Sequence, residues 1–556
     1  MGQTPVTGLC LLRAPPFHRN TVILSKPAQA PDAPAPDVLD LLRGARVGGK
    51  FWLQPANITV PAPSVLRPRA GDSLEHLTAS LSPDVKAAML CSTPHLKPRA
   101  LARLCTIHGG HWFGDVDPWS VLERAGSLIA HGDDEWIAIA RICSVPVRVL
   151  SAGRYGNPDD DAEALDHKTL QAIRAVCYTN PFTHQSATIG QTVALLAEWR
   201  SLIESNRFIS AACGMAWWKR DEIRRFLWVP GRKLSIVSRA TDVLKIARET
   251  GGAVAIWPSR VSPALLNDAA RQGTALVRVE DGFVRSVGLG SNLVPPSSVV
   301  VDRRGIHFDP SSPSDLEHIL ATTSFTPALT QRASALRKTI IAAGISKYSV
   351  GVGSPVPPRT PGRRIVLVPA QVEDDMSVIA GGGGLQSNLE LLRRARAMEP
   401  DAEIWFRPHP DVDAGHRKGA VADADVLQFA DRIVRGGGMA PLLDAVDAVH
   451  VLTSLTGFEA LMRGLDVTCH GTPFYAGWGL TRDLGAVPDR RGRALKLDEL
   501  VAGVLILYPR YLDPVTGLPC PPEVLISRMS AAQTPNRLSW VEPLRRIQGR
   551  FMAHLR

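Results

Sequence analysis

The sequence predicts an α/β protein: two Rossmann-like domains facing a cleft, preceded by a partial, degenerate α/β repeat. Two observations predict it. The first is a change of pattern at residue 206, after which short apolar, β-rich runs alternate with helical stretches. The runs are AVAIWP (253–258), ALVRVE (275–280), RIVLVPA (364–370), AEIWFRPH (402–409) and AVHVLTS (448–454), with segments such as ALLNDAARQG and SNLELLRRARAMEP between them. Apolar strands alternating with amphipathic helices belong to parallel sheets covered on both faces. The second observation is an internal echo. Residues 117–156 parallel 440–479, each running helix, short strand, helix, short strand and a Gly-aromatic-Gly ending, and 177–196 echo 508–527. The first 200 residues therefore read as the back half of an earlier, degraded copy of the later unit.

In chain order, residues 1–40 form a lead-in whose Pro/Ala-rich part, KPAQAPDAPAPD (26–37), reads as linker or disorder. The degenerate repeat spans 41–205, the first Rossmann-like domain 206–345 and the second 346–505, with a loop-rich hinge around 346–363. A C-terminal extension, 506–556, ends in WVEPLRRIQGRFMAHLR, where basic pairs alternate with Leu, Ile and Phe at near-helical spacing. That pattern fits a basic amphipathic helix on anionic lipid, or equally a helix packed on the body with a solvated basic face.

Composition narrows the function classes. A chain of 556 residues suffices for two to four packed units. No stretch approaches the roughly 18–20 apolar residues of a membrane span. The N-terminus lacks the apolar region and cleavage site of a secretory signal, and Val6 stands where myristoylation requires Ser or Thr. A cytoplasmic protein is expected. The eight cysteines are scattered without metal-ligand spacing, so isolated thiols are expected and a metal is not. Net charge +10 calls for nucleic acid, an anionic membrane or an anionic substrate. No nucleic-acid-binding pattern occurs, so no nucleic-acid partner is expected.

Four strand-end segments carry candidate chemistry. ALVRVEDGF breaks at Glu280-Asp281-Gly282, and carboxylates at a strand's carboxyl end project into the crevice where open α/β sheets bind ligands; an acidic turn reads the same way. VPAQVEDDMSVIAGGGG (368–384) opens into a Gly-rich loop whose amides suit an anion. Its Glu373, Asp374 and Asp375 suit a divalent metal or a solvated loop, and the solvated loop is preferred. EIWFRPHPD places Arg407 beside His409, which two prolines aim rigidly; the pair suits an anionic group or a turn cap. HVLTSLTGFEALMRG sets Thr453, Ser454 and Thr456 where a strand gives way to a helix carrying Glu459, an arrangement that caps the helix, binds phosphate, or does both. The loop GTPFYAGWGLTRD (471–483) follows and reads as an aromatic flap over a sugar or base.

These motifs, with PPSSVVVDRRGIHFD, SKYSVG, NLELLRRAR and LILYPRYLDPVTG, resemble the capsule-synthesis β-Kdo transferases of the KpsC/LipB type over about 206–530. The resemblance implies a GT-B-like fold, a CMP-Kdo donor, no cofactor or metal, and a lipid acceptor, phosphatidylglycerol with or without Kdo, at the inner face of the inner membrane. It implies peripheral membrane association, capsule synthesis and export proteins as partners, and retention at the anomeric carbon. Carried onto this chain, Asp281 is the nucleophile, Glu280 tunes it, and His409 with Arg407 holds the departing phosphate. Thr453, Ser454 and Thr456 bind that phosphate and Glu459 lies near the cytidine or ribose. Arg285 and Ser286 meet the Kdo carboxylate, and Gln371 and Pro410 line the substrate. Another CMP-sugar, or an inactive scaffold of the export complex, are the alternatives. The first 200 residues lack EDGF, QVEDD and HPD and read IAHGDDEWI in place of TSLTGFE, so that copy is not expected to catalyse.

Overall fold

The computed structural model describes residues 10–17, 25–27, 37–59, 61–69, 71–73, 76–77, 90–92, 111–285, 294–346, 356–413 and 417–531. Two units divide the chain: Met1–Arg207 with Trp228–Arg232, and Phe208–Leu227 with Lys233–Arg556.

The first unit holds β1 (Ser25–Pro27), β2 (Ser64–Arg67), β3 (Leu90–Ser92), β4 (His111–Phe113), β5 (Ser127–Ala130), β6 (Val147–Val149), β7 (Val176–Thr179) and β8 (Ser186–Ala187). Strands β2 to β6 form one parallel sheet in the order β4-β3-β2-β5-β6, and β1, β7 and β8 form an antiparallel one. The lead-in departs from expectation. Cys10, Leu11, Leu12 and Phe17 are buried, and β1 pairs with β7, because these apolar residues have core to cover. Residues 28–36 of the expected linker lie outside the described residues.

The second unit opens with β9 (Ile209–Cys213), β10 (Ser235–Val237), β11 (Ala253–Ile256), β12 (Leu276–Asp281) and β13 (Ser298–Asp302). It continues with β14 (Ile365–Pro369), β15 (Glu403–Arg407), β16 (Arg432–Ile433), β17 (Ala448–Val451), β18 (Asp466–Cys469), β19 (Arg482–Asp483), β20 (Pro509–Leu512) and β21 (Pro519–Cys520). Each strand run named from the sequence is a strand here. The later sheet, β16-β15-β14-β17-β18-β19, is parallel throughout, and β14, β15 and β17 are wholly buried, as their apolar runs require. The earlier sheet, β10-β9-β11-β12-β13-β20-β21, is mixed rather than parallel: β13 runs antiparallel to β12 and to β20. Its two faces bury separate apolar clusters, one around Ile223, Phe226 and Trp257, the other around Val243, Leu244 and Leu265.

Residues 509–531 are not an appended extension. A helix, Leu497–Val501, runs into a π-helical stretch, Ala502–Leu507, which leads into β20 and so returns the chain to the earlier sheet. Tyr508 anchors the return by donating to Asp302 Oδ2 at 2.7 Å. The expected basic C-terminal helix (540–556) lies outside the described residues, as do 347–355 of the expected hinge. Ion pairs tie the halves of this unit together. Glu317 caps its own helix with Ser314 and also receives Arg490 at 2.7 Å and the buried Arg491 at 2.6 Å.

Candidate active site

The acidic wall is built by β12, whose LVRVED run ends at Asp281. A Cβ on the next residue, Gly282, would strike Ser298 Oγ, so only glycine lets β12 lie this close to β13. Glu280 turns back and accepts the Asp281 N–H at 3.1 Å. Two cations hold the Asp281 carboxylate: Lys219 Nζ is 2.9 Å from Oδ1 and Arg285 Nε 2.8 Å from Oδ2. Lys219 stands at the end of a short 3₁₀ turn (Trp217–Lys219) after β9, and the ring of Trp257 packs against its ammonium. Burial pushes the Lys219 pKa down, and the charge of Asp281 opposes that shift.

Arg285 differs from expectation. It is fully buried, and its guanidinium serves Asp281 and the Val294 carbonyl, so it braces the acidic wall and is not placed to meet a substrate carboxylate. Ser286 lies outside the described residues.

Three adjacent strands of the later sheet supply the opposite wall. Register pairs Pro369 with Arg407 and Leu367 with Val449, so Gln371, His409 and Thr453 leave β14, β15 and β17 at one level. Gln371 is buried and both ends of its amide are used: Nε2 donates to Thr453 Oγ1 at 2.9 Å and Oε1 accepts the Thr453 N–H at 2.8 Å. Through both bonds it sets the hydroxyl loop. Asn388 in turn donates to the Gln371 carbonyl at 2.8 Å. The acidic loop is spent on the protein itself: Glu373 accepts from Asn388 N, Asp374 pairs with Arg417, and Asp375 caps the Met376–Gly381 helix.

Arg407 is likewise committed. Its guanidinium donates to the carbonyls of Val434, Gly436 and Gly437, and burial pushes its pKa down. It holds the glycine loop after β16 and is not aimed at an incoming phosphate. His409, half-buried, accepts the Asp411 N–H on Nδ1 at 3.2 Å, which leaves the neutral ring's proton on Nε2. Pro410 is exposed and opens a short helical turn, Pro410–Asp413.

Ser454 caps the Leu455–Met462 helix, accepting Thr456 N at 3.2 Å and donating to Thr456 Oγ1 at 3.1 Å. Thr453, Thr456 and Glu459 are buried behind it. The aromatic loop is no flap. Tyr475 and Trp478 are fully buried, and the Tyr475 hydroxyl donates to the Ser454 carbonyl from below. A Cβ at Gly457 would collide with that hydroxyl, which explains the glycine of TSLTGFE. Phe283, next to the acidic motif, packs on Phe474 at 4.6 Å and lies 6.5 Å from Phe458 of the helix, so one aromatic cluster carries both walls.

Sequence reasoning gives no part to Lys219 or Trp257; Tyr475 and Phe283 lie in the motifs GTPFYAGWGLTRD and EDGF but carry no role of their own there. The only local signal for the first is WWKR following an apolar strand; its partner Asp281 lies 62 residues away. Among the described residues no helix is long and apolar enough to cross a membrane.

Comparison with known proteins follows the same outline. The capsule polysaccharide biosynthesis protein family matches residues 252–349 and 358–511. The capsule polysaccharide modification protein LipA of Neisseria meningitidis serogroup B is 40% identical over 435 residues, covering 75% of this chain and 61% of that protein. The lipopolysaccharide-processing protein LpsZ of Rhizobium meliloti is 42% identical over 301 residues, covering 53% of this chain and 68% of that protein. A solved structure of Thermosulfurimonas dismutans KpsC, its β-Kdo 2,4 transferase, aligns at 33% identity with a TM-score of 0.51, covering 59% of this chain and 99% of that one. The chain spans only 48% and 61% of the two meningococcal LipA proteins it matches.

Proposed function

Because this chain belongs to the capsule polysaccharide biosynthesis family of the KpsC/LipB type, we propose that it is a retaining glycosyltransferase that moves Kdo from CMP-Kdo to a lipid acceptor, building the β-Kdo linker of a capsular polysaccharide. The observation that carries this reading is the Asp281 carboxylate, fixed by Lys219 and Arg285 at a strand end beside Glu280. A carboxylate gripped at both oxygens from the protein side suits attack on an anomeric carbon and a glycosyl-ester intermediate.

In the first step an Asp281 oxygen bonds to the anomeric carbon while the bond to the phosphate oxygen breaks and CMP leaves with the electron pair. In the second, the acceptor hydroxyl oxygen bonds to that carbon, the ester breaks, and its pair returns to Asp281. The hydroxyl proton passes to Glu280. His409, through Nε2–H, and the first amides and hydroxyls of the Leu455–Met462 helix stabilise the leaving phosphate. Glu459 lies toward the cytidine or ribose. Gln371 and Arg407 act at one remove, by holding the loops that present these groups. No metal or cofactor enters these steps. The acceptor is a phosphatidylglycerol, with or without Kdo, reached from the inner face of the inner membrane, where capsule synthesis and export proteins are the partners.

Intact-mass measurement after incubation with CMP-Kdo tests this directly. A Kdo-sized adduct on the wild type that is absent from Asp281→Ala is the expected result; turnover by Asp281→Ala at the wild-type rate removes Asp281 from the mechanism. Acceptors bearing zero, one or two Kdo residues identify the step catalysed. A melting temperature raised by CMP-sialic acid or a UDP-sugar and not by CMP-Kdo reassigns the donor.

A further inference from the structure

Lys219 is a charged site residue that neither a motif nor an expected role explains. Its side chain is buried, with Nζ 3.5 Å from the centroid of the Trp257 ring and 5.0 Å from that of Trp218. A buried ammonium is costly unless it is paired, and an indole face lowers that cost without competing for its hydrogen bonds. The partner it pairs with matters. Asp281 keeps 17% of its side chain exposed, so this is no sealed internal ion pair. Arg285 occupies the other carboxylate oxygen and is itself anchored by the Val294 carbonyl. The two cations fix the orientation of the carboxylate.

Resting on the reading of Asp281 as nucleophile, we propose that Lys219 is a positioning residue of the transfer: it aims an Asp281 oxygen at the anomeric carbon and balances the charge that returns to that oxygen when the glycosyl ester breaks. Lys219 neither gives nor takes a proton. It acts through a fixed charge at 2.9 Å, preorganised before substrate arrives. Arg285 alone is not equivalent, because it grips the opposite oxygen.

The test uses the full chain, CMP-Kdo and a Kdo-bearing lipid acceptor, with Lys219→Met, Lys219→Arg and Asp281→Ala beside the wild type. Lys219→Met should melt cooperatively, lose about 100-fold in kcat and keep its KM for CMP-Kdo within about threefold. Its adduct should persist longer by intact mass, because ester breakdown has lost its charge partner. Lys219→Arg should recover about tenfold of the lost rate. If the Met variant does not fold, the Arg variant decides: lowered kcat at unchanged KM supports the proposal, and wild-type kcat overturns it. A merely structural lysine predicts kcat and KM changing together with a fallen melting temperature and no recovery by Arg, and that result also overturns it. Lys219→Met at wild-type kcat with Asp281→Ala inactive refutes the role of Lys219 alone. Turnover by Asp281→Ala, or none by the wild type, refutes the transfer mechanism and this proposal with it.

Discussion

The parallel sheet of β2 to β6 and the one of β14 to β19 are laid down in the same sequence, third strand, second, first, fourth, fifth, the later sheet adding a sixth. Both are followed by a hairpin of one design. Tyr178 donates to the Ile173 carbonyl at 2.8 Å and Tyr511 to that of Leu505 at 2.7 Å, and Asn180 and Asp513, two residues on in each, accept backbone amides of the turn. The strand ends differ completely. In the later sheet they present Gln371, His409, Thr453 and Ser454. In the β2–β6 sheet the described strand-end side chains satisfy one another. Arg67 pairs with Asp134 at 2.8 Å and stacks on Trp136, while His131 lies 3.0 Å from Ser151 Oγ and 2.9 Å from Asp72. Sheet and hairpin, held by packing, are thus alike in the two regions while the strand-end groups are not.

The comparison breaks most visibly at Asp281. Asp281→Ala should lower kcat by about 10⁴-fold or more, whereas His131→Ala, at the end of β5, should leave it within about twofold. A large loss from His131→Ala, measured with CMP-Kdo and the lipid acceptor, would bring the β2–β6 sheet into the mechanism.

The later sheet was legible in the sequence because its wholly buried strands are runs of Val, Ile and Leu, and such runs mark themselves. Short strands were not: β20 is four residues, PRYL, and only its partner β13 makes it part of the earlier sheet. At the site, sequence identifies which charged groups stand at strand ends but not how they are spent. Arg407 meets carbonyls 27 to 30 residues away and Lys219 meets a carboxylate 62 residues away, so a cation expected for substrate and one committed to the protein look the same in the text. Asp281 stands out in the text because its neighbours in sequence, Glu280 and Gly282, also surround it in the structure.

The sheets should also part company in acid. His450 on β17 and His470 after β18 face each other at 3.1 Å, and burial pushes both pKa values down to about 4 from the ordinary 6.5. β5 and β6, Ser-Leu-Ile-Ala and Val-Arg-Val, carry no such pair. Between pH 6.5 and 4 the unfolded histidines bind protons that the folded ones refuse, so stability present above pH 6.5 is lost as the pH falls. The loss is about 1.4 kcal/mol per pH unit for each histidine. Hydrogen exchange at pH 7 and pH 5 should show protection falling in the β14–β19 sheet and not in the β2–β6 sheet, and His450→Asn should flatten the dependence.

A smaller effect tests the support beneath the hydroxyl loop. Gly457→Ala places a methyl where the Tyr475 hydroxyl lies, which should cost about 1–3 kcal/mol by denaturant titration and raise the KM for the donor. Tyr475→Phe in the same background should recover part of the loss by removing the colliding oxygen. An unchanged KM would mean that the helix start is not where the donor binds.

The smallest effect concerns Gln371, and it separates holding a loop from touching a ligand. Its amide makes two hydrogen bonds, both to Thr453. Gln371→Ala removes them and leaves the buried Thr453 amide without that acceptor, a loss of about 1–2 kcal/mol. If Gln371 acts only by fixing Thr453, Thr453→Val should raise the donor KM by a similar factor, and the double variant should be no worse than either single one. Additive losses would instead place the Gln371 amide on the donor itself. In the β2–β6 sheet the described strand-end groups likewise bond to one another, Arg67 to Asp134 and His131 to Ser151.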